Sequence, residues 1–461
     1  MERRYVFSSY IQHSEVDAPF ASLGGPSSTT SRGSTAVLYI DEVSDETAND
    51  WYRLIERCAA TQSNDMATFP VFGEFLRQLS RAKPNFVFAL ARRDDAGVLT
   101  FLPAILNGLL ESEACDKYAE LIEDYLGRNA YLTAIARHCR LVKKDAVGTV
   151  KKVLERAIAV DEIFAVFECL IFAIENHDSQ GLPLVDTVFA PAIKYLISKR
   201  DARWIDGAWF LPVGEKFFHE LPSEDADLVL ENLLALKRID HEAESILTPI
   251  AMNRPASVWA FFERRLELSN KREREDRYEA IPYQLHDLAQ PLARDVDLAT
   301  TTLRKWYSAE DRIFQFTGGR LPQAVLPTFT DELASCLNQI IARGSDEDYD
   351  FVIHLLENYH GIQTHQVVKE LIDRLPENDS RLNRLDVHLS SIGGVWGEFG
   401  MVAAFRRKKE EIALWQQDSR PKVRKFAESY VKRMEQQIAS EQRSAEMRKE
   451  LRKRNYEAEN G

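Results

Sequence analysis

The fold can be read outward from one stretch near the end of the chain: Leu414-Trp415-Gln416-Gln417-Asp418-Ser419-Arg420-Pro421-Lys422-Val423-Arg424-Lys425-Phe426-Ala427. Its first residues complete an apolar helix, and Asp418 and Pro421 then interrupt it. Proline is tolerated in the first turn of a helix, where its missing N–H has no partner to lose. Val423 and Ala427 stand four residues apart, the spacing of one helical face. The stretch therefore predicts two helices joined by a tight turn.

Helical spacing continues through most of the chain. The run 345–348, Ser-Asp-Glu-Asp, matches a helix start and follows Gly344, a residue suited to ending the previous helix. An apolar stripe at i, i+3, i+4 and i+7 comes next, formed by Tyr349, Val352, Ile353 and Leu356. We count roughly sixteen to twenty such helices joined by short turns. No region offers several alternating strands, so the predicted fold class is all-α.

The hairpin at 414–427 resembles the inner turn of a HEAT repeat, a helical hairpin that stacks on copies of itself. The resemblance implies that Val423 and Ala427 pack between layers, that Asp418 and Pro421 make the turn, and that Arg424 ties adjacent turns together. We therefore expect an α-solenoid of stacked HEAT- or armadillo-like hairpins with a long C-terminal helix. The chain is also similar to the helical-repeat sensor regions of bacterial signalling and antiviral-defence ATPases.

An internal match points to the same kind of repetition. Residues 84–93 and 255–264 share a proline, a valine, an aromatic, an alanine and an arginine at equivalent positions. Their offset of 171 residues is close to four units of about 43 residues, within the HEAT and armadillo range. Because a proline at the first helical position is common, the match also has a purely local explanation.

Composition changes divide the chain into five predicted segments. They are a flexible N-terminal segment (1–43), a helical-repeat array (44–310), further repeats bounded by glycine-containing loops (311–400), a C-terminal HEAT-like hairpin (401–438) and a charged terminal helix (439–461). The loop at 393–400 holds four glycines, with Trp396 and Phe399 among them. We interpret it either as a hinge or as a loop that these two aromatic rings pack onto the repeats.

Charge and cysteine usage limit the classes of partner and compartment. The net charge is −13, yet residues 401–461 hold 16 Lys and Arg against 10 Asp and Glu. This basic end could bind nucleic acid, fold against the acidic surface of its own chain, or form a solvated helix of mixed charge. The candidate contacts to nucleic acid or an acidic partner are Arg406, Arg407, Lys408, Lys409, Lys422 and Lys425. The longest apolar run, 163–174, is too short for a membrane span. Five scattered cysteines without a CxxC motif indicate buried, reduced thiols in a cytoplasmic protein.

The sequence contains no complete motif of three catalytic and cofactor-binding types: Walker A, GxSxG and HExxH. The sequence contains no Gly-Lys pair, which excludes a Walker A loop, and no GxSxG elbow. Residues 241–245 approach the HExxH zinc motif, but Ser245 replaces the second histidine. His354, His360 and His365 are spaced for different helical faces. We therefore predict no catalytic residue, no metal and no cofactor.

The leading hypothesis is a non-enzymatic scaffold that binds a protein partner along a ridge of stacked hairpins. One alternative is the sensor or regulatory arm of a larger bacterial NTPase or antiviral defence complex. A second alternative is a nucleic-acid-binding solenoid that uses the basic C-terminal segment.

Overall fold

The computed structural model describes residues 38–60, 68–177, 183–271, 278–282, 285–307, 321–392 and 394–460. Across these residues all regular secondary structure is helical, and no strand is present. The all-α prediction is confirmed. The chain forms two compact units, residues 1–235 and 236–461, so the predicted array 44–310 spans the boundary between them.

The first unit contains thirteen α-helices in its described part. They are α1 (Ala48–Ala60), α2 (Thr68–Ala82), α3 (Pro84–Ala91), α4 (Ala96–Leu99), α5 (Leu102–Leu110), α6 (Cys115–Gly127), α7 (Leu132–Val142), α8 (Val147–Val160), α9 (Ile163–Glu175), α10 (Ala190–Lys199), α11 (Ile205–Ala208), α12 (Gly214–Glu220) and α13 (Ser223–Leu233). A 3-10 turn, Leu38–Glu42, precedes them, and a π-helical turn, Val185–Phe189, leads into α10.

The second unit contributes eleven α-helices among its described residues. They are α14 (His241–Asn253), α15 (Pro255–Lys271), α16 (Ala289–Ala293), α17 (Val296–Trp306), α18 (Leu321–Val325), α19 (Asp331–Arg343), α20 (Asp346–Leu356), α21 (His365–Arg374), α22 (Arg381–Ser390), α23 (Gly400–Ala413) and α24 (Pro421–Asn460). The total of 24 exceeds the sixteen to twenty expected, because helices of four or five residues are too short to show an apolar period.

Alternate helices pack together in the first unit. Helix α5 lies between α2 and α7, and α7 packs in turn against α9. Helix α9 is the central helix that its apolar sequence predicts, with every residue from 165 to 174 buried. Several hydrogen bonds between helices join residues that are 34 apart, as in Tyr52 to Phe86 O, Tyr125 to Ala91 O and Arg128 to Asp94, and others join residues 28 to 37 apart.

The second unit repeats this packing with a longer interval. Helix α19 lies between α17 and α21, α20 packs against α22, and α21 packs against α24. Several bonds between helices of this unit join residues 42 to 44 apart, as in Glu244 with the N–H of His286 and Arg304 with Asp348. Others join residues 33 to 50 apart, as in Tyr359 with Leu326 O and Arg420 with Glu370.

Local signals place the ends of helices as expected. Ser345 caps α20 by accepting a hydrogen bond from the Asp348 N–H, and Gly344 ends α19 with a φ of +80°. Pro84 and Pro255 each open a helix, but α3 has 8 residues and α15 has 17. The internal match therefore marks two helix starts rather than two copies of one helix.

Two predicted segment boundaries differ from the structure. Within the segment 1–43, residues 38–42 form the 3-10 turn and both Ile40 and Val43 are buried, because their side chains join the apolar core. Residues 1–37 lie outside the described part of the chain. At the other end, α24 is the long continuous helix that the sequence predicts, but burial extends past the boundary at 438, since Ala445 is fully buried.

Candidate functional site

The hairpin turn at 414–427 is stabilised by interactions of one carboxylate, that of Asp418, with two cations. Asp418 accepts hydrogen bonds from the Arg420 side chain and lies 3.1 Å from Nζ of Lys369 on α21. These cations hold the pKa of the Asp418 carboxyl well below its ordinary value, the Arg420 hydrogen bond being the largest cause. Val423 and Ala427 are fully buried, as expected for residues that pack between layers.

Lys422, and not Arg424, links the start of α24 to the end of the neighbouring helix α21. Nη1 of Arg424 donates to the carbonyls of Asp418 and Ser419, which belong to its own turn. Nζ of Lys422 instead reaches back to the carbonyls of Asp373 and Leu375 at 2.9 Å, at the end of α21. The expectation for Arg424 is therefore corrected: its position six residues after Asp418 directs the guanidinium toward that same turn.

Each of the six predicted basic contacts has a partner within the chain. Lys408 and Lys409 pair with carboxylates of Glu411 and Glu435, at 3.3 and 3.5 Å. The remaining pairs are Arg406 with Gln442, Arg407 with Glu411, Lys422 with the two α21 carbonyls, and Lys425 with Glu377.

These cations do not form one patch. Lys409 meets α24 at Glu435, ten residues beyond Lys425, which corresponds to roughly 15 Å along a helix. The basic residues are thus distributed along the α23–α24 hairpin and partly neutralised there.

Exposed apolar side chains mark a different region. Thirteen large hydrophobic residues are exposed in the described chain, and eight of them lie after residue 361. We call these eight the C-terminal surface: Ile362, Val387, Val395, Trp396, Phe399, Leu414, Met447 and Leu451. The described residues of the second unit before 361 expose none. These eight are concentrated in the last hundred residues of the sequence. Exposed apolar side chains that form one patch are typical of an interaction site, whereas scattered ones are not.

An open cleft of about 370 Å³ lies beside Val387. Its lining residues are Glu357, His360, Asn383, Arg384, Val387, His388 and Ser391. Arg384 donates to the carboxylate of Glu357 at 2.8 Å, and the rings of His360 and His388 stack with centroids 6.2 Å apart. The cleft therefore combines one exposed aliphatic side chain with amide, imidazole and paired charged groups.

Burial keeps His388 neutral. It lowers the pKa of the imidazole to about 4, and the nearby His360 acts in the same direction. Its Nε2 lies 3.5 Å from the hydroxyl of Thr364, which connects the turn at 360–364 to α22. Ile362, 68 % exposed, projects from that turn.

The glycine-containing loop after α22 presents Trp396 to solvent. The side chain of Trp396 is 93 % exposed, so it does not pack the loop onto the helices as one interpretation expected. Gly397 has a φ of +84°, a left-handed conformation that favours glycine. Glu398 anchors the loop to α24 through Arg452 at 3.1 Å. Gly393 lies outside the described residues.

The histidines near residue 360 have separate surroundings. His354 lies 3.6 Å from Glu357, His360 stacks on His388, and His365 meets the ring of Trp415. In the part of the chain that the structure describes, no group of three or more His, Cys, Asp or Glu side chains could hold a metal ion.

The five cysteines are free thiols, as expected. Cys139, Cys169 and Cys336 are buried, but Cys58 and Cys115 are exposed, because they stand at the outward edge of α1 and at the start of α6. Of the described helices, none has both the length and the apolar character needed to cross a membrane.

Comparison with known proteins does not assign the chain to a class: no family model, curated protein or solved structure matches it. The C-terminal surface and the cleft are therefore defined by burial and distances alone. Sequence reasoning missed the cleft and the exposure of Trp396. The one sequence feature that could have indicated the exposure of Trp396 is its position between glycines, and that position is equally compatible with a tryptophan packed on the helices.

Proposed function

We propose that the chain is a non-enzymatic, HEAT- or armadillo-like helical-repeat scaffold whose C-terminal surface binds a protein partner in the cytoplasm. The observation that carries the proposal is the grouping of eight exposed hydrophobic side chains after residue 361. Protein interfaces concentrate aromatic and Met side chains in their buried centre, and Trp is the residue most enriched among energetic hot spots. Trp396, fully solvated in the free chain, is the natural anchor.

The solenoid part of the proposal is supported by the interval between bonded layers. Bonds at 34 residues in the first unit and at 42 to 44 in the second are consistent with hairpins stacked on their neighbours. Those intervals fall within the range of helical repeats, which build extended surfaces for recognition. The same surface would serve the sensor-arm alternative, in which the partner is the catalytic part of a larger NTPase.

Nucleic acid is the weaker alternative. Releasing Arg406, Lys409 or Lys425 to bind phosphate would leave Gln442, Glu435 or Glu377 without its partner. Nucleic-acid binding by these side chains would also weaken steeply with salt. Substituting Arg406→Gln and Lys409→Gln should leave partner capture intact if the proposal holds, and should abolish capture if nucleic acid is the ligand.

The proposal can be tested by affinity capture with the tagged full chain. A triple variant, Ile362→Ser, Val387→Ser and Trp396→Ser, removes three apolar side chains from the C-terminal surface. A matched control, Val160→Ser and Phe210→Ser, removes exposed apolar side chains of the first unit, which are 44 % and 48 % exposed. The triple variant should keep the parent's melting temperature, because it changes mostly solvated positions, and the melting temperature of the control shows whether its half-exposed positions tolerate serine.

Proteins retained after nuclease treatment by the parent and the control, but lost with the triple variant, would support the scaffold. Retention of the same proteins by the triple variant would contradict it. The identity of a retained protein separates a sensor arm, which requires an NTPase, from a general adaptor.

A further inference from the structure

The last part of α24 projects from the second unit without apolar cover. Up to residue 455, where the description of the side chains ends, Ala445 is the last buried residue, and all ten residues from 446 to 455 are exposed although they remain helical. We call residues 446–455 the α24 tip. Ten residues extend about 15 Å, and without tertiary packing they remain helical only by propagation from the buried part of α24. A partner that covers it would stabilise it.

Two apolar side chains form one stripe on this tip. Met447 and Leu451 stand four residues apart, so they lie on the same face, and they are 65 % and 54 % exposed. Met adapts its shape to a partner more readily than branched side chains do. The pair offers an apolar anchor for one neighbouring helix.

Arginines border the stripe. By helical spacing, Arg443 neighbours Met447 four residues earlier, while Arg448 and Arg454 neighbour Leu451 at three residues before and after. Residues 448–454 hold five Lys and Arg against a single Glu. The face is therefore an apolar centre with a cationic rim.

The arginines of the tip have partners within the chain that lie close to solvent. Arg452 lies 3.1 Å from Glu398 and Arg454 lies 3.3 Å from Glu450, with both guanidinium side chains more than two-thirds exposed. Arg448, about half exposed, pairs with Glu441. Exposed ion pairs are weak because solvent screens them. Carboxylates of a partner can therefore replace them at little cost.

We propose that the α24 tip binds an acidic amphipathic helix of the protein partner, with its apolar residues on Met447 and Leu451 and its carboxylates on the flanking arginines. This inference rests on the proposed function and adds the chemical class of the partner. Charge complementarity is the observation that selects an acidic segment.

Charge and geometry argue against two other occupants. An antiparallel pair of tips centred on Leu451 would place residues 448–454 against themselves, and the five cations would repel. A lipid surface requires a broad apolar face on a helix, whereas the tip offers only two large apolar side chains, Met447 and Leu451.

Two designed peptides of 21 residues provide the probe. Both carry Leu pairs at i and i+4, flanked by Glu in one peptide and by Lys in the other. Fluorescence anisotropy against the full chain should show binding of the Glu peptide and at least about tenfold weaker binding of the Lys peptide. Leu451→Ser, and separately Arg448→Gln with Arg454→Gln, should each weaken the Glu peptide about tenfold, whereas Lys432→Gln should not.

Equal binding of the two peptides, or no binding of either, would overturn the inference. So would light scattering that shows a dimer dissociated by Leu451→Ser, or cosedimentation with vesicles containing 30 % phosphatidylserine in place of peptide binding. If affinity capture depends on Trp396 but the Glu peptide does not bind, the scaffold stands and the acidic partner helix fails. If capture depends on neither region, the proposed function itself fails.

Discussion

Arg420 holds the carboxylate of Asp418, two residues earlier in the chain, with two side-chain bonds: Nε to Oδ1 at 2.9 Å and Nη2 to Oδ2 at 3.1 Å. The backbone N–H of Arg420 also donates to Oδ1. The same three bonds join Arg381 to Asp379 in this unit and Arg203 to Asp201 in the first unit. Asp-x-Arg is thus a recurrent turn of this chain.

In the second unit this turn also joins layers. Arg420 reaches Glu370 on α21 at 3.3 Å, and Arg381 reaches Asp346 at the start of α20 at 2.7 Å. Asp418 additionally faces Lys369. Each aspartate therefore positions an arginine that contacts an earlier hairpin.

Replacing Asp418 with Asn should destabilise the chain. The change leaves the partly buried cations Arg420 and Lys369 without their shared carboxylate, and we expect a loss of about 1–3 kcal/mol in the free energy of unfolding. Asp201→Asn should cost less, because Arg203 is half exposed and its pair is screened by solvent. Urea unfolding of the two variants measures the difference, and equal losses would contradict the role assigned to Asp418.

Val423→Asp should unfold or detach the terminal hairpin. Val423 is fully buried, and an unpaired carboxylate placed there costs several kcal/mol. Ala439→Asp, at an exposed position of the same helix, is the matched control and should be close to neutral. Circular dichroism and thermal unfolding provide the measurement. A Val423→Asp chain that melts like the parent and keeps its helicity would show that this layer does not pack as described.

Arg265→Lys should not preserve stability. The Arg265 side chain is completely buried and donates Nε to the carbonyl of Ala280 and Nη1 to that of Leu236, at 3.0 and 2.9 Å. A third bond joins Nη2 to the carbonyl of Glu279. Lysine places a single nitrogen where the guanidinium spreads its donors, so buried carbonyls lose partners at about 1–3 kcal/mol each.

Chemical denaturation checks the prediction for Arg265. Arg238→Lys, at an exposed position of the same unit, is the control and should remain within about 0.5 kcal/mol of the parent. A tolerated Arg265→Lys would mean that the loop at 278–280 is held by other contacts.

Stability should fall as the pH drops from 6.5 toward 4. His138 is completely buried, and burial lowers its pKa to about 4. The unfolded chain, with a histidine pKa near 6.5, therefore binds more protons than the folded chain in this window. The stabilisation is complete above about pH 6.5 and is lost as the pH falls to the folded pKa. For His138 the loss reaches about 2 kcal/mol at pH 5.

Urea unfolding at pH 7.5, 6 and 5 measures this slope. His365 and His388, whose pKa values burial also lowers to about 4, should add to it. His138→Gln should reduce the slope whatever it does to stability at pH 7.5. An unchanged slope in His138→Gln would show that His138 does not control it.

The all-α class and many helix ends follow from local chemistry, and the sequence was sufficient for them. Gly344 and Ser345 mark a helix end and a helix start because capping uses backbone groups within four residues. The apolar stripe of α20 is equally local. Helices of four residues, such as α4 and α11, were not predictable, because less than two turns of sequence carries no period.

Which charged side chains are paired and which aromatic side chains are exposed depends on residues far away in the chain. Lys425 finds Glu377 and Lys422 finds the end of α21, 47 to 49 residues earlier, so a basic run in the sequence became a set of internal pairs. Trp396, by contrast, remains solvated because no described segment packs over it. A helix forms through bonds within four residues, whereas exposure and pairing are set by which distant hairpin comes to lie against each face.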